Sequence, residues 1–153
     1  MIVVDIGNTN IVIGVFYKKK ITKIIRLNTN EKKIIFKLNK YLNINKLSRL
    51  KLDNKICIIA SVSNFSNKEI FIFFKIINFK ILKINLTNIP QDIKFNYKES
   101  QLGADRIANT FAAINIYGKN SLVVDFGTAT TFDIIKNDIY NGGLIAPGIN
   151  VSL

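Results

Sequence analysis

Val3-Val4-Asp5-Ile6-Gly7-Asn8-Thr9 and Val123-Val124-Asp125-Phe126-Gly127-Thr128-Ala129-Thr130 are two copies of one phrase. Each sets an apolar run before an aspartate, then an apolar residue, a glycine and small polar residues. Each runs on into a second apolar stretch, Ile11-Val12-Ile13-Gly14-Val15-Phe16 after the first and Thr131-Phe132-Asp133-Ile134-Ile135 after the second. Short apolar runs bounded by glycine and small polar residues read as strand, tight turn, strand. Written twice in one chain, the phrase predicts two lobes of like fold.

The phrase also carries chemistry. Glycine lets the backbone bend sharply and approach a ligand, and successive amide N–H groups in such a bend can cup an anion. Asn8, Thr9 and Thr128 add side-chain donors. Asp5, a carboxylate at a strand end, can hold magnesium through its water shell. A single Asp-x-Gly turn is commonplace in hairpins. Two of them, each opening a strand-rich unit, point to lobes that close on one nucleotide from opposite sides.

Composition narrows the field. A chain of 153 residues holds one domain or one and a part, and its 48% hydrophobic content is enough to bury a core. No uninterrupted apolar run reaches the roughly 18 residues of a membrane span. The amino terminus contains Asp5 and has no basic leader, so a secretory signal is not expected. The one cysteine, Cys57, lies within Ile56-Cys57-Ile58-Ile59. It forms no internal disulfide, fits a reducing cytoplasm, and is expected to pack as a small core residue. Histidine is absent, which excludes imidazole acid–base chemistry and Ser-His-Asp triads. The net charge of +12 invites a nucleic-acid reading. The lysines, however, are dispersed among Ile and Asn, Lys18-Lys19-Lys20 reads as a solvated hairpin tip, and no RNA-binding aromatic signature accompanies them. Neither nucleic acid nor membrane is therefore expected as a partner.

In chain order, Ile21 to Leu27 follows the first hairpin as a third strand. Ile34, Ile35, Leu38 and Leu42 recur at helical spacing and predict a helix from about Asn30 to Asn43. Residues 43 to 54 are polar and loop-like, and Lys55 to Val62 is a buried strand. Ile70, Phe73, Phe74 and Ile77 mark a second helix whose aromatic stripe belongs to the core, and Phe79 to Ile84 is a further strand. This order predicts an antiparallel beginning with parallel crossovers. Asn85 to Ser100, containing Pro90, reads as a polar connection. Gly103 opens a helix through Ile116, and Gly118-Lys119-Asn120 marks the lobe boundary. The division is thus a first lobe over 1–118 and the incomplete start of a second over 119–153.

Gly103-Ala104-Asp105-Arg106 begins that last helix. Asp105 and Asn109, four apart, share a helical face. Taken alone, Asp105 merely complements the helix dipole; beside two phosphate-type turns it becomes a candidate acid–base group. Arg106 could clamp a carboxylate or phosphate or cover apolar neighbours.

Together these motifs and Gly142-Gly143-Leu144-Ile145-Ala146-Pro147-Gly148 resemble the type III pantothenate kinases, in order and spacing along the whole chain. That family belongs to the actin-like and sugar-kinase superfamily. The resemblance implies an α/β ribonuclease-H-like lobe, a mixed sheet flanked by helices, followed by the first hairpin strands of a second such lobe. It implies ATP-dependent phosphorylation of pantothenate to 4'-phosphopantothenate, the first step of coenzyme A biosynthesis. ATP would be bound by Asp5, Ile6, Gly7, Asn8, Thr9, Asn10, Ile11, Val12 and Thr128. Pantothenate would be bound by Tyr97, Gly103, Ala104, Asp105 and Arg106, with Asp105 accepting the proton of the substrate hydroxyl. Asp125 would hold a monovalent cation, potassium or ammonium, and the complete family protein would form a homodimer. The family usually places Asn-Pro after the tyrosine, whereas this chain reads Tyr97-Lys98-Glu99-Ser100. The alternatives are a non-catalytic nucleotide-binding or regulatory remnant, half of a split kinase, and a basic nucleic-acid binder.

Overall fold

The computed structural model describes residues 1–45, 55–63, 67–89, 93–98 and 101–149. The expected loop over 46–54, Pro90, Glu99, Ser100 and residues 150–153 lie outside the described residues. Contacts divide the chain into two compact units, Met1–Lys83 and Ile84–Leu153.

The first unit runs β1 (Ile2–Ile6), β2 (Asn10–Tyr17), β3 (Lys20–Asn28), α1 (Ile34–Leu42), β4 (Ile56–Ser61), α2 (Asn67–Ile76) and β5 (Lys80–Lys83). Its sheet has the order β3-β2-β1-β4-β5. β1, β2 and β3 pair antiparallel, whereas β4 lies parallel to both β1 and β5, as the element order predicts. Alternation decides which face is inside. Ile2, Val4 and Ile6 of β1 are fully buried, as are Ile11 and Ile13 of β2, while Asp5 is exposed. The buried side chains meet Ile34, Leu38 and Leu42 of α1 and Ile70, Phe73 and Phe74 of α2. Phe74 sits edge-on to both Phe73 and Phe79, at 5.2 and 5.7 Å between centroids. Each such ring contributes about 1.5–3 kcal/mol on burial.

Local chemistry explains where the elements begin and turn. α1 starts at Ile34, later than expected, because the Asn28 side chain accepts the Asn30 N–H at 2.9 Å and holds that stretch in a turn. Lys18 and Lys19 both adopt left-handed φ, 48° and 62°, the conformation a two-residue hairpin tip demands.

Cys57 is fully buried in β4, paired in register with Ile2 and Ile81. Burial pushes its thiol up to about 12. The thiol is therefore expected to resist Ellman's reagent at pH 8 in the native protein and to react fully in denaturant. A raised folded pKa contributes stability below the ordinary value of 9.0, and that contribution is lost as pH climbs toward about 12. Urea midpoints followed by circular dichroism should thus fall above pH 9. Rapid native labelling would contradict this placement of Cys57.

The second unit runs β6 (Lys94–Phe95), α3 (Ala104–Tyr117), β7 (Ser121–Phe126), β8 (Ala129–Lys136) and β9 (Ile139–Pro147), with sheet order β6-β9-β8-β7. β6 lies inside the stretch read from sequence as a connection. It is two residues long, too short to show a period, and exists because β9 offers a parallel edge. α3 packs on β7 and β8; its buried residues are Ile107, Thr110 and Ala113, and Ile107 shares a core cluster with Leu102 and Tyr140. The sequence reading draws the division after Gly118; contacts draw it after Lys83, since α3 groups with the second sheet. Leu122, Phe126, Ile134 and Leu144 are each more than half exposed, a concentration of apolar surface unusual for a small soluble unit.

Candidate active site

In the first unit the phosphate-type turn joins β1 to β2. Gly7 N–H donates to the Asn10 carbonyl at 2.9 Å, closing the bend. Thr29, buried beyond the end of β3, braces it twice: its hydroxyl donates to the Gly7 carbonyl at 2.8 Å and its N–H to the Thr9 carbonyl at 2.9 Å. Asn8 and Thr9 are exposed at the tip, and Asp5 is exposed on the sheet face opposite the core. Ile6 and Ile11 are fully buried, so only their backbone is available to a ligand. Asn10 and Val12 are half-buried.

In the second unit the matching turn joins β7 to β8. Gly127 N–H donates to the Ala129 carbonyl at 3.0 Å, a bend one residue tighter than the first. Thr128 is exposed at its tip. Gly148 packs directly against this turn: a Cβ there would lie 2.3 Å from the Thr128 carbonyl oxygen and 2.5 Å from that of Gly127. The turn therefore has a backbone floor that admits no side chain.

Gly103 is the N-cap of α3, followed by Ala104, Asp105 and Arg106 in the first turn. The half-buried Asp105 accepts the Arg106 backbone N–H at 2.8 Å, satisfying one of the orphan donors of the helix start. One turn further, Asn109 donates its side-chain N–H to the exposed Asp125 at 2.9 Å. The face shared by Asp105 and Asn109 thus leads to the strand-end carboxylate of the glycine turn. Arg106 points elsewhere, to β8, where its Nε donates to Asp133 at 2.8 Å. Tyr140 donates its hydroxyl to the same oxygen at 2.7 Å. Burial works against the Arg106 charge, but the Asp133 hydrogen bond and charge outweigh it and hold the guanidinium above its ordinary pKa. Burial, reinforced by Asp133, likewise raises the Tyr140 phenol. Tyr97 stands T-shaped against Tyr140 at 5.5 Å between centroids, and its hydroxyl occupies the space a side chain at Gly142 would need.

Two glycine turns, three acids and the Gly-Gly-x-x-x-Pro-Gly strand are the features by which a family would be known, and a profile described as type III pantothenate kinase matches residues 1–153. The chain belongs to that family. A type III pantothenate kinase from Sulfurihydrogenibium sp. is 38% identical over 100% of this chain and 62% of its own length. One from Pelagibacter ubique is 39% identical over 100% of this chain and 61% of its own. The chain therefore spans about three fifths of these curated relatives. Among solved structures, a Baf family protein from Campylobacter jejuni matches with TM-score 0.56 at 24% identity, over 99% of this chain and 56% of that one. The ethanolamine utilization protein EutJ from Carboxydothermus hydrogenoformans matches with TM-score 0.52 at 12% identity, over 96% and 51%. At such identities the likeness is one of fold, and it is the actin-like and sugar-kinase α/β fold.

For this pantothenate kinase family member, the expected site residues Asp5 to Val12 lie in the first unit. Tyr97, Gly103, Ala104, Asp105, Arg106, Asp125 and Thr128 lie in the second. Within the second unit Asn109 links Asp125 to the helix that bears Asp105, and Arg106 and Tyr97 both approach Tyr140. Asp133 and Tyr140 are the residues that sequence reading passes over; Asn109 it places on the face of Asp105, without its partner Asp125. A signal for one was available: strand alternation puts Asp133 on the same face as Ile135, and an acid on an inward face needs a buried partner.

Proposed function

We propose that the chain carries the nucleotide- and pantothenate-binding residues of a kinase that phosphorylates pantothenate to 4'-phosphopantothenate with ATP, opening coenzyme A biosynthesis in the cytoplasm. The observation that carries the reading is Asn109, which ties the strand-end acid Asp125 to the helical face bearing Asp105. Phosphoryl transfer needs in-line positioning and charge neutralisation more than covalent chemistry. In this reading the braced turn from Asp5 to Val12 binds the ATP phosphates, and Thr128 is a further ATP contact. Tyr97 and Gly103 to Arg106 hold pantothenate. Asp105 accepts the hydroxyl proton as the new O–P bond forms and ADP leaves.

The donor set suits hard cations. Asp5 and Asp125 are exposed carboxylates at strand ends, and oxygen is the ligand that magnesium and potassium take. Among the described residues no three acidic, cysteine or histidine side chains cluster. A magnesium ion at Asp5 would thus draw most of its ligands from phosphate and water, and a monovalent cation would sit at Asp125. Such cations supply neutralisation of phosphate charge. Residues 119–153 we read as the opening of a second lobe, and a homodimer as the state of the complete family protein. Among the described residues no helix is long and apolar enough to cross a membrane.

The other reading is a nucleotide-binding chain without turnover, or half of a split kinase. Incubation with ATP, magnesium, potassium and labelled pantothenate separates them. Potassium-dependent 4'-phosphopantothenate is the expected product. ATP binding without product supports the second reading, and the absence of both overturns the pair.

A further inference from the structure

Asp133 is fully buried, and Arg106 retains only 11% side-chain exposure. One Asp133 oxygen, Oδ1, takes three contacts: Arg106 Nε at 2.8 Å, Arg106 Nη2 at 2.6 Å and the Tyr140 hydroxyl at 2.7 Å. The Nη2 contact is an ion pair rather than an aligned hydrogen bond, and the second oxygen, Oδ2, is buried without a hydrogen-bond partner. Such a half-satisfied buried pair is poor value as a stabilising device, because apolar residues of similar volume often serve stability as well or better. Its effect here is geometric. The Tyr140 ring lies 5.9 Å from the guanidinium carbon. The Gly143 backbone closes another side so tightly that a Cβ there would lie 2.7 Å from Nη2. Tyr97 in turn packs edge-on to Tyr140. A long, rotamer-rich side chain is thereby ordered before any ligand arrives, which removes that cost from binding.

We propose that Asp133, seconded by Tyr140, is the positioning residue for Arg106 and holds its guanidinium in the orientation that meets the carboxylate of the substrate. The substrate half of this rests on the reading of Arg106 as a pantothenate contact; the positioning half rests on the geometry of the second unit. Because Asp133 offsets the Arg106 charge, recognition at this point depends on donor direction rather than on net positive charge. Asp133 touches no reacting atom.

The chain has three arginines, so the Arg106 Nε–H is resolvable by nitrogen-15 NMR. In the wild type it should appear as a separate, slowly exchanging resonance. Asp133→Asn, which keeps a carbonyl acceptor, should retain it with a changed shift. Asp133→Ala should lose it and weaken pantothenate binding by roughly tenfold, the equivalent of re-ordering one long side chain, with ATP binding unchanged. Tyr140→Phe should keep the resonance but speed its exchange. A wild-type Nε–H in fast exchange, or a protected one that survives in Asp133→Ala, overturns the proposal. If Asp133→Ala does not fold, unaltered shift and exchange in both Asp133→Asn and Tyr140→Phe overturn it instead. Pantothenate that leaves the wild-type resonance unmoved overturns only the assignment of Arg106 to the substrate, and the variant series still decides whether Asp133 positions it.

Discussion

Asp105→Asn is expected to lower pantothenate phosphorylation by about 10²–10⁴-fold, the usual worth of a positioned proton acceptor, while leaving the fold intact. The argument for an intact fold is local. Asp105 uses one oxygen to accept the Arg106 backbone N–H at 2.8 Å, and an amide oxygen of the same size can do that as well. The lost charge near the helix start costs no more than about 2 kcal/mol. What the amide cannot do is take a proton from a hydroxyl. The absence of histidine makes this substitution unusually clean, because no imidazole is available to stand in. ADP release measured with and without pantothenate, beside thermal melting by circular dichroism, checks both halves. Unchanged turnover would remove Asp105 from the proton-accepting role, and a collapsed melting curve would move it to a structural one.

Gly143→Ala is expected to unfold the second unit and spare the first. An added Cβ would lie 1.8 Å from the Phe132 carbonyl oxygen and 2.7 Å from Arg106 Nη2. The first clash is with backbone in the neighbouring strand, where Gly143 pairs with Asp133 beside an irregularity in the ladder. Overpacking usually costs about 1–3 kcal/mol, and here the obstructing atom cannot rotate aside, so the cost should reach or exceed the top of that range. Amide hydrogen exchange is the suitable measurement: protection should vanish across β7, β8 and β9 and persist across β1 to β5. Gly127→Ala is the control, since its Cβ would meet the Ala129 carbonyl oxygen at an ordinary 3.4 Å. Equal exchange profiles for Gly143→Ala and wild type would refute the argument.

The two hairpin openings were legible because their signals are short-range. Alternation along Ile2–Ile6 and Asn10–Tyr17 places every second residue inside, and the glycine turns need nothing beyond their own backbone. The stripes Ile34, Leu38, Leu42 and Ile70, Phe73, Phe74 were legible for the same reason, at a period of about 3.6 residues. The start of α1 is not legible, because a single side chain, Asn28, competes with the helix for a backbone donor. β6 is not legible either, because two residues carry no period and its partner β9 lies more than forty positions along the chain. The turn signal at Gly118 marks the end of a helix, whereas the grouping of α3 with the second sheet is a matter of long-range contacts.

From the sequence alone come the repeated strand–turn–strand phrase, the inward and outward faces of the strands, the family resemblance and the three acids Asp5, Asp105 and Asp125. The tertiary structure decided which partners those groups have. Asn109 meets Asp125 across sixteen positions and Arg106 meets Asp133 across twenty-seven, and Gly143 became irreplaceable only when the Phe132 carbonyl closed over it. The reason is physical. Periodicity and turn chemistry are properties of neighbouring peptide units, whereas the pairing of buried charges depends on which helix face is pressed onto which strand, and only the folded chain brings those together.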